Sequence, residues 1–487
     1  NIIVPDSKPD VKNILLADAE GFVLNVEKTG RMIEVSGEIR YRVLYVADTP
    51  EQRIENIVSS YPWSFSVPKP KSEGDVGIFA RCRCQHSEAG LANSRKIVCR
   101  TVTSLVCRFY EIKSDEIGRE ILGENVYLKT APVNVVTLKD NGDSTSRVTD
   151  LLSLPQGSPA IKEVLFSHVN LGRGELSWQD EEPFLEAKGT LYLLYRSDNM
   201  DENIESVVLE FPVRIQTGVQ ASADAMMFAT SVLRDWEIKA AEDADGLNTQ
   251  ISIGLEVEID AQAMAQEEQV VIDDAYSVDC RLDLTKAQLS MITDEREVCD
   301  THNIEYHVRL ESSGAPDVRL DEVLMVCAGE RNIASKVSDR DVNAQGTISV
   351  DILYRMSDRE IKCQSLELPF TKTFALPDGG VWQVVQTCFT IEEINFDISG
   401  SDSLELSISL KIMLRIAKSE EVACTDALNV VNDDNKRKAP IILYFAQPED
   451  TLWSIAKKYR IPVSKLAVDN GIDASVKPEA GKRLFIM

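Results

Sequence analysis

This chain repeats itself, and the length of the repeat limits what it can fold into. VSGEIRYRVLYVAD (Val35 to Asp48), AKGTLYLLYRSD (Ala187 to Asp198) and AQGTISVDILYRMSD (Ala344 to Asp358) each carry a glycine, an alternating apolar run, a Leu-Tyr pair and a polar turn. The glycines are Gly37, Gly189 and Gly346, a period of about 155 residues. Solenoid units are roughly 20–45 residues long, so this period means whole domains in tandem. The second copy is two residues shorter between its Gly and its Tyr. A change of two keeps every side chain on its own face of a strand, where a change of one would flip them all.

Other landmarks keep the period. Upstream lie Pro9 in KPDVKNIL, Pro159 in SPAIKEVL and Pro316 in APDVRLDEVL. Downstream lie Pro62, Pro212 and Pro369, and each copy ends in a long alternating run, RKIVCRTVTSLVCRFY, NTQISIGLEVEIDAQ or LELSISLKIMLRI. Period-two alternation with β-branched residues, bounded by Gly, Asp, Asn and Pro, predicts antiparallel strands. The expected fold is mainly β: three tandem β-sandwich-like repeat domains over residues 1–120, 121–278 and 279–425. A short helix is expected at DVKNILLADAE and its counterparts. Copies two and three carry strand-like residues ahead of their prolines (STSRVTDLLSLP and NIEYHVRLESSG), whereas copy one has only NIIV. The first copy is therefore expected to be N-terminally truncated, with no strand matching those two.

A polar, aperiodic linker is expected over 426–439, and a small βααβ module over 440–487. In the module IILYF reads as a strand, and Pro448, Glu449 and Asp450 as a turn, with Asp450 as helix N-cap. Leu452, Ile455, Ala456 and Tyr459 form one apolar stripe on a first helix. Ser464 is placed to cap a second helix carrying Leu466 and Ala467, which Gly471 ends. KRLFIM closes the module as a strand.

The formal charge is −27, which disfavours nucleic acid and anionic membrane surfaces as partners of the whole chain. No apolar run approaches the roughly 18 residues of a membrane span. The ten cysteines form no CxxC pair and sit among apolar neighbours, the pattern of reduced core thiols. Cys82, Cys84 and His86 share one face of a strand, and Cys299, His302 and His307 have ligand-like spacing. The first set reads as an inward face. The second points its two histidines to opposite faces, and Asp433, Asp434 and Asn435 read as solvated linker. No metal, no cofactor and no catalytic residue is therefore expected. GxSxG, HExxH, a P-loop and a ribose-binding GxGxxG are all missing, so the chain is not expected to be an enzyme.

QPEDTLWSIAKKYRIPVSKLAVDNGI and the closing PEAGKRLFIM resemble the LysM family over the whole tail. LysM modules bind N-acetylglucosamine glycans in a shallow groove between the first turn and the loop after helix two. By that resemblance Asp450, Thr451, Leu452, Asn470, Gly471 and Ile472 line the groove. The family usually has Gly-Asp-Thr where this chain has Glu449-Asp450-Thr451, which puts a charge at the rim. Trp453 lies beside the apolar stripe, with Lys457 one turn on. With Glu449 these two favour a protein-docking face over an open sugar groove. The tail carries seven basic and five acidic residues, net +2, which leaves −29 for the rest. Such a module is drawn to an acidic patch, on a partner or on the chain's own repeats.

IVPDSKPDVKNIL, the Gly…Leu-Tyr strand, LEFP and VIDDAYS (Val271 to Ser277) resemble the SPOCS domain of endospore-forming Firmicutes. Three such repeats followed by a LysM module resemble the SipL family. The resemblance implies a non-enzymatic scaffold of the endospore envelope, in the mother-cell cytoplasm at the forespore surface beneath the spore coat. Its LysM module would bind a coat morphogenetic ATPase like stage IV sporulation protein A and so tether the coat. The alternative is a peptidoglycan-binding protein of the cell wall or spore surface.

Overall fold

A computed structural model describes residues 1–71, 76–112, 117–118, 120–123, 125–180, 182–200, 203–311, 318–338, 340–377, 380–431 and 441–487. Pro316, Pro440, most of the expected linker and Asp433, Asp434 and Asn435 lie outside them. The protein is mainly β. The first stretch of chain forms β1 (Ile2–Ile3), β2 (Val11–Thr29), β3 (Met32–Ala47), β4 (Ile54–Pro68), β5 (Val76–Asn93) and β6 (Lys96–Glu111). The second forms β7 (Val126–Ser153), β8 (Ile161–Leu171), β9 (Glu175–Gln179), β10 (Glu182–Ser197), β11 (Ile204–Gln216), β12 (Met226–Ala241) and β13 (Gln250–Ser277). The third forms β14 (Arg281–Arg309), β15 (Leu320–Val337), β16 (Asp341–Met356), β17 (Ile361–Ala375), β18 (Trp382–Ile398) and β19 (Ser403–Val431). The tail forms β20 (Ile442–Phe445), α1 (Leu452–Tyr459), α2 (Val463–Asn470) and β21 (Arg483–Ile486).

The element order recurs. One sheet of each copy has the order β2-β3-β4, β8-β10-β11 or β15-β16-β17, and the second copy adds β9 beside β10. The other sheet is β1-β6-β5, β7-β13-β12 or β14-β19-β18. β1 therefore takes the position of β7 and β14, so the first copy does have a strand there, contrary to expectation, but one of two residues where those strands have 28 and 29. Residues of both sheets of the third copy share one buried cluster, including Val350, Ile352, Leu406 and Ile408. The second copy is built the same way around Leu191, Leu193, Leu255 and Val257.

The repeated glycine has a steric cause. Gly37 lies opposite Trp63, Gly189 opposite Phe211 and Gly346 opposite Phe370. In each case the aromatic ring of the facing residue lies over the glycine, so that an added Cβ would come within 2.4 Å of Phe211, 2.7 Å of Trp63 and 2.9 Å of Phe370. The repeated tyrosines are equally buried, and their hydroxyls donate to backbone carbonyls: Tyr45 to Pro9, Tyr195 to Pro159 and Tyr354 to Glu311.

The helix expected at DVKNILLADAE is instead the start of β2. The register of β2 against β3 skips at Lys12 and at Leu15, that of β8 against β10 at Lys162 and Leu165, and that of β15 against β16 at Asp321 and Leu324. Each skip is a β-bulge, which inserts one residue and shifts the phase of the alternation. Two bulges close together give apolar spacings of three and four, and those imitate a helix.

The chain divides into two compact units. The first comprises Asn1–Lys113, Leu138–Ala265 and Arg296–Ile416. Within it the copies close on one another in a ring: β4 meets β8, β11 meets β15, and β17 meets β2. Arg196 donates to the carbonyl of Ile54 across the first seam, and Arg355, its equivalent, donates to that of Ile204 across the second. At the centre Leu16, Phe166 and Met325, each opposite Leu44, Leu194 or Leu353, form one shared cluster. The second unit comprises Ser114–Thr137, Gln266–Glu295 and Ala417–Met487.

Replacing Gly189 by Val should overpack the Phe211 contact and destabilise the protein by about 1–3 kcal/mol in urea unfolding. Gly90, whose Cβ position is open, should accept Val with a change of less than about 0.5 kcal/mol. Equal effects at the two sites would refute the steric account.

Candidate functional site

The tail folds as expected in outline: β20 pairs antiparallel with β21, and two helices cover one face of the pair. Leu452, Ile455, Ala456, Leu466, Ala467, Leu484 and Ile486 form its core. Two caps differ from expectation. Thr451, not Asp450, is the N-cap of α1, and its side chain accepts from Ser454 N while Ser454 accepts from Thr451 N. Asp450 instead accepts from Gln447 N at 2.8 Å and from the Tyr444 hydroxyl at 2.7 Å. Those bonds hold its carboxyl below the ordinary value. The second helix starts at Val463 after Pro462, with no side-chain cap, so Ser464 lies inside it. Pro462 fixes the entry backbone where a cap would otherwise act. Gly471 ends α2 at φ 62°, a left-handed conformation that glycine adopts without strain.

The residues read as a glycan groove are largely engaged by the fold. Asn470 accepts from Phe485 N at 2.6 Å and donates to the carbonyls of Phe485 and Leu466, which braces β21 against α2. Leu452 is core, and Ile472 packs beside it. Glu449, Thr451 and Gly471 are exposed.

Trp453 and Lys457 meet the chain's own β13. The Trp453 indole donates to Asp274 Oδ2 at 2.9 Å, and Lys457 is ion-paired with Asp274 Oδ1. The Tyr276 ring meets Trp453 edge-on at 5.0 Å and stacks on Tyr127 at 5.2 Å. The Tyr276 hydroxyl donates to the carbonyl of Ile461 at 2.8 Å. Burial works to raise the Asp274 carboxyl, but the bonds from Lys457 and Trp453 outweigh it and hold the group below its ordinary value. Asp274 and Tyr276 belong to VIDDAYS, a stretch that sequence reading marked only for its resemblance. The role of Asp274 was signalled by charge alone, a carboxylate pair in an acidic body set against a basic tail, and nothing local marked that of Tyr276.

The other side of the module is open. Leu443 and Phe485 are opposite one another in the β20–β21 register and are 47% and 49% exposed, with Phe445 50% exposed beside them. Sequence reading missed this patch because IILYF is apolar on both faces, so its alternation gives no outer side.

The other candidates do not converge. A bulge between Cys84 and His86 breaks their shared face, and His86 is exposed while Cys82 is buried. Cys299 lies by Arg173, His302 by Phe370, and His307 pairs with Glu405. All ten cysteines are free thiols.

Residues 444–486 match the model of the LysM domain family, and residues 320–399 match that of the SipL, SPOCS domain family. The chain thus carries a sporulation SPOCS domain and a LysM domain of the peptidoglycan-binding kind, both families of non-catalytic binding domains. No curated protein and no solved structure matched the chain. Among the described residues no helix is long and apolar enough to cross a membrane.

Replacing Asp274 by Ala should raise hydrogen exchange across residues 452–459, with docking weakened by about 1–3 kcal/mol, the usual size of a bond to a charged group. Because the folded carboxyl ionises below its ordinary value, its contribution is complete above the ordinary carboxylate range. It is lost as pH falls through the lowered value. Exchange in α1 that is unchanged by either treatment would show that Asp274 does not hold the module.

Proposed function

We propose that the protein is a non-enzymatic scaffold of the endospore envelope, in the mother-cell cytoplasm at the forespore surface. Its LysM module docks a coat morphogenetic ATPase like stage IV sporulation protein A and so tethers the coat. The regions 1–120, 121–278 and 279–425 are three copies of the SPOCS domain, of which the family match covers part of the third. One observation carries the docking reading: Leu443, Phe445 and Phe485 form an exposed apolar face on a module whose Trp453 and Lys457 are already engaged. Lys482 and Arg483 adjoin that face in sequence, so an acidic partner with an apolar centre fits it. The groove residues Asp450 and Asn470 spend their polar groups on turns and strand bracing, which supports protein over glycan as the occupant.

The LysM match supports the second reading, peptidoglycan binding, and one comparison separates the two. Full chain and chain lacking residues 440–487 are used to capture the purified ATPase and to pellet with insoluble peptidoglycan. The docking reading expects tail-dependent capture that Phe445→Asp with Phe485→Asp weakens at least about tenfold, a typical hot-spot loss. It also expects no pelleting. Tail-dependent pelleting that the double substitution leaves intact, without capture, would replace it with the wall-binding reading.

A further inference from the structure

We propose that the first compact unit holds one divalent metal ion at the centre of its ring, ligated by Asp18, Glu20 and His168. The three copies close around Leu16, Phe166 and Met325. Side chains two residues further along a strand share the same face. Asp18, His168 and Cys327 therefore occupy equivalent positions, opposite Arg42, Tyr192 and Asp351. Equivalent positions in an apolar ring centre would be expected to stay apolar, but these have become ionisable. They line a cavity of about 250 Å³, which Glu20 also borders.

One ligand atom from each of Asp18, Glu20 and His168 lies within 4.8 Å of the other two. Ligands around a tetrahedral ion with bonds of about 2.1 Å are about 3.4 Å apart, so a small side-chain movement closes the set. His168 supplies a second, independent observation. Its Nε2 is sealed from solvent and has no hydrogen-bond partner among the described residues. A buried ring nitrogen without a partner is costly, and a metal ion satisfies it. Tyr192 and Trp236 flank the imidazole and leave its position defined.

Arg81, Arg83, Arg234 and Arg331 line the same cavity beside Glu330 and Asp351, so excess negative charge is confined to the cluster of Asp18, Glu20 and His168 itself. Arg42 touches both carboxylates through a single nitrogen, Nη1, while its guanidinium lies 3.9 Å over the Trp236 ring. It brings one positive charge to two negative ones and leaves each carboxylate a further oxygen, so it steadies the ligands from behind. Two oxygens and one imidazole suit Zn²⁺ or Mn²⁺. The ion would join β2 of the first copy to β8 of the second, as a structural staple of the ring.

The test uses the full chain, reduced, stripped by chelator and titrated with Co²⁺ as probe. The expected result is one equivalent bound, with d–d absorption and no thiolate-to-cobalt charge-transfer band. His168→Gln, which leaves the Arg42 network alone, should lower the affinity at least about tenfold with the metal-free melting curve unchanged. Cys84→Ser should leave binding as it was. Absence of stoichiometric binding, a charge-transfer band, or undiminished binding by His168→Gln would each overturn the proposal. Should His168→Gln fail to fold, the cobalt stoichiometry and spectrum of the unaltered chain decide.

Discussion

The packing of Leu16, Phe166 and Met325 against Leu44, Leu194 and Leu353 is the contact on which the first unit depends. Burying a side chain of this size contributes about 1.5–3 kcal/mol, and here each copy buries its share against the other two. No copy completes that layer alone. This explains why a chain with three repeats forms one compact unit from three separate segments. The bulges at Leu15, Leu165 and Leu324 serve the same layer, since each turns an extra leucine toward it.

A ring closed in this way joins its sheets by side chains rather than by a continuous strand ladder. β4 meets β8, β11 meets β15 and β17 meets β2 at a few residues of each strand, while all six remain edge strands of their own sheets. The second unit works differently. There Asp274 and Tyr276, with Tyr127 and Val278 packed beside them, hold a module with its own core against β13. Its engaged face joins aromatic packing to charged hydrogen bonds, and its free face is apolar. In a scaffold that division allows the chain to fix the module's orientation while leaving the outward sheet face for a partner.

Much of this was legible in the residues, for stated reasons. The Gly-to-Tyr spacing located equivalent strand positions because strand periodicity tolerates a shift of two. The tail's apolar stripe located α1 because helix periodicity is equally strict. Legibility failed where two periodicities mix. Paired bulges made the start of β2 look helical, and an all-apolar strand hid the outer face of β20. Caps were misplaced by one or two residues, since Asp450 and Thr451 both have oxygen acceptors and only the turn decides between them. The contact of Trp453 with Asp274 joins residues 179 apart, and no local pattern encodes such a pairing. The meeting of Asp18 with His168 was hidden for the same reason.

The claim that three copies make one cooperative ring is tested most directly by hydrogen exchange on a chain carrying Leu353→Ala, a substitution confined to the third copy. The expected loss of a large buried side chain is about 2–5 kcal/mol. If the ring is one unit, protection should fall in β2 and β8 as well as in β15 to β17. A fall limited to β15 to β17, with β2 and β8 protected as before, would contradict the account and leave three domains that merely touch.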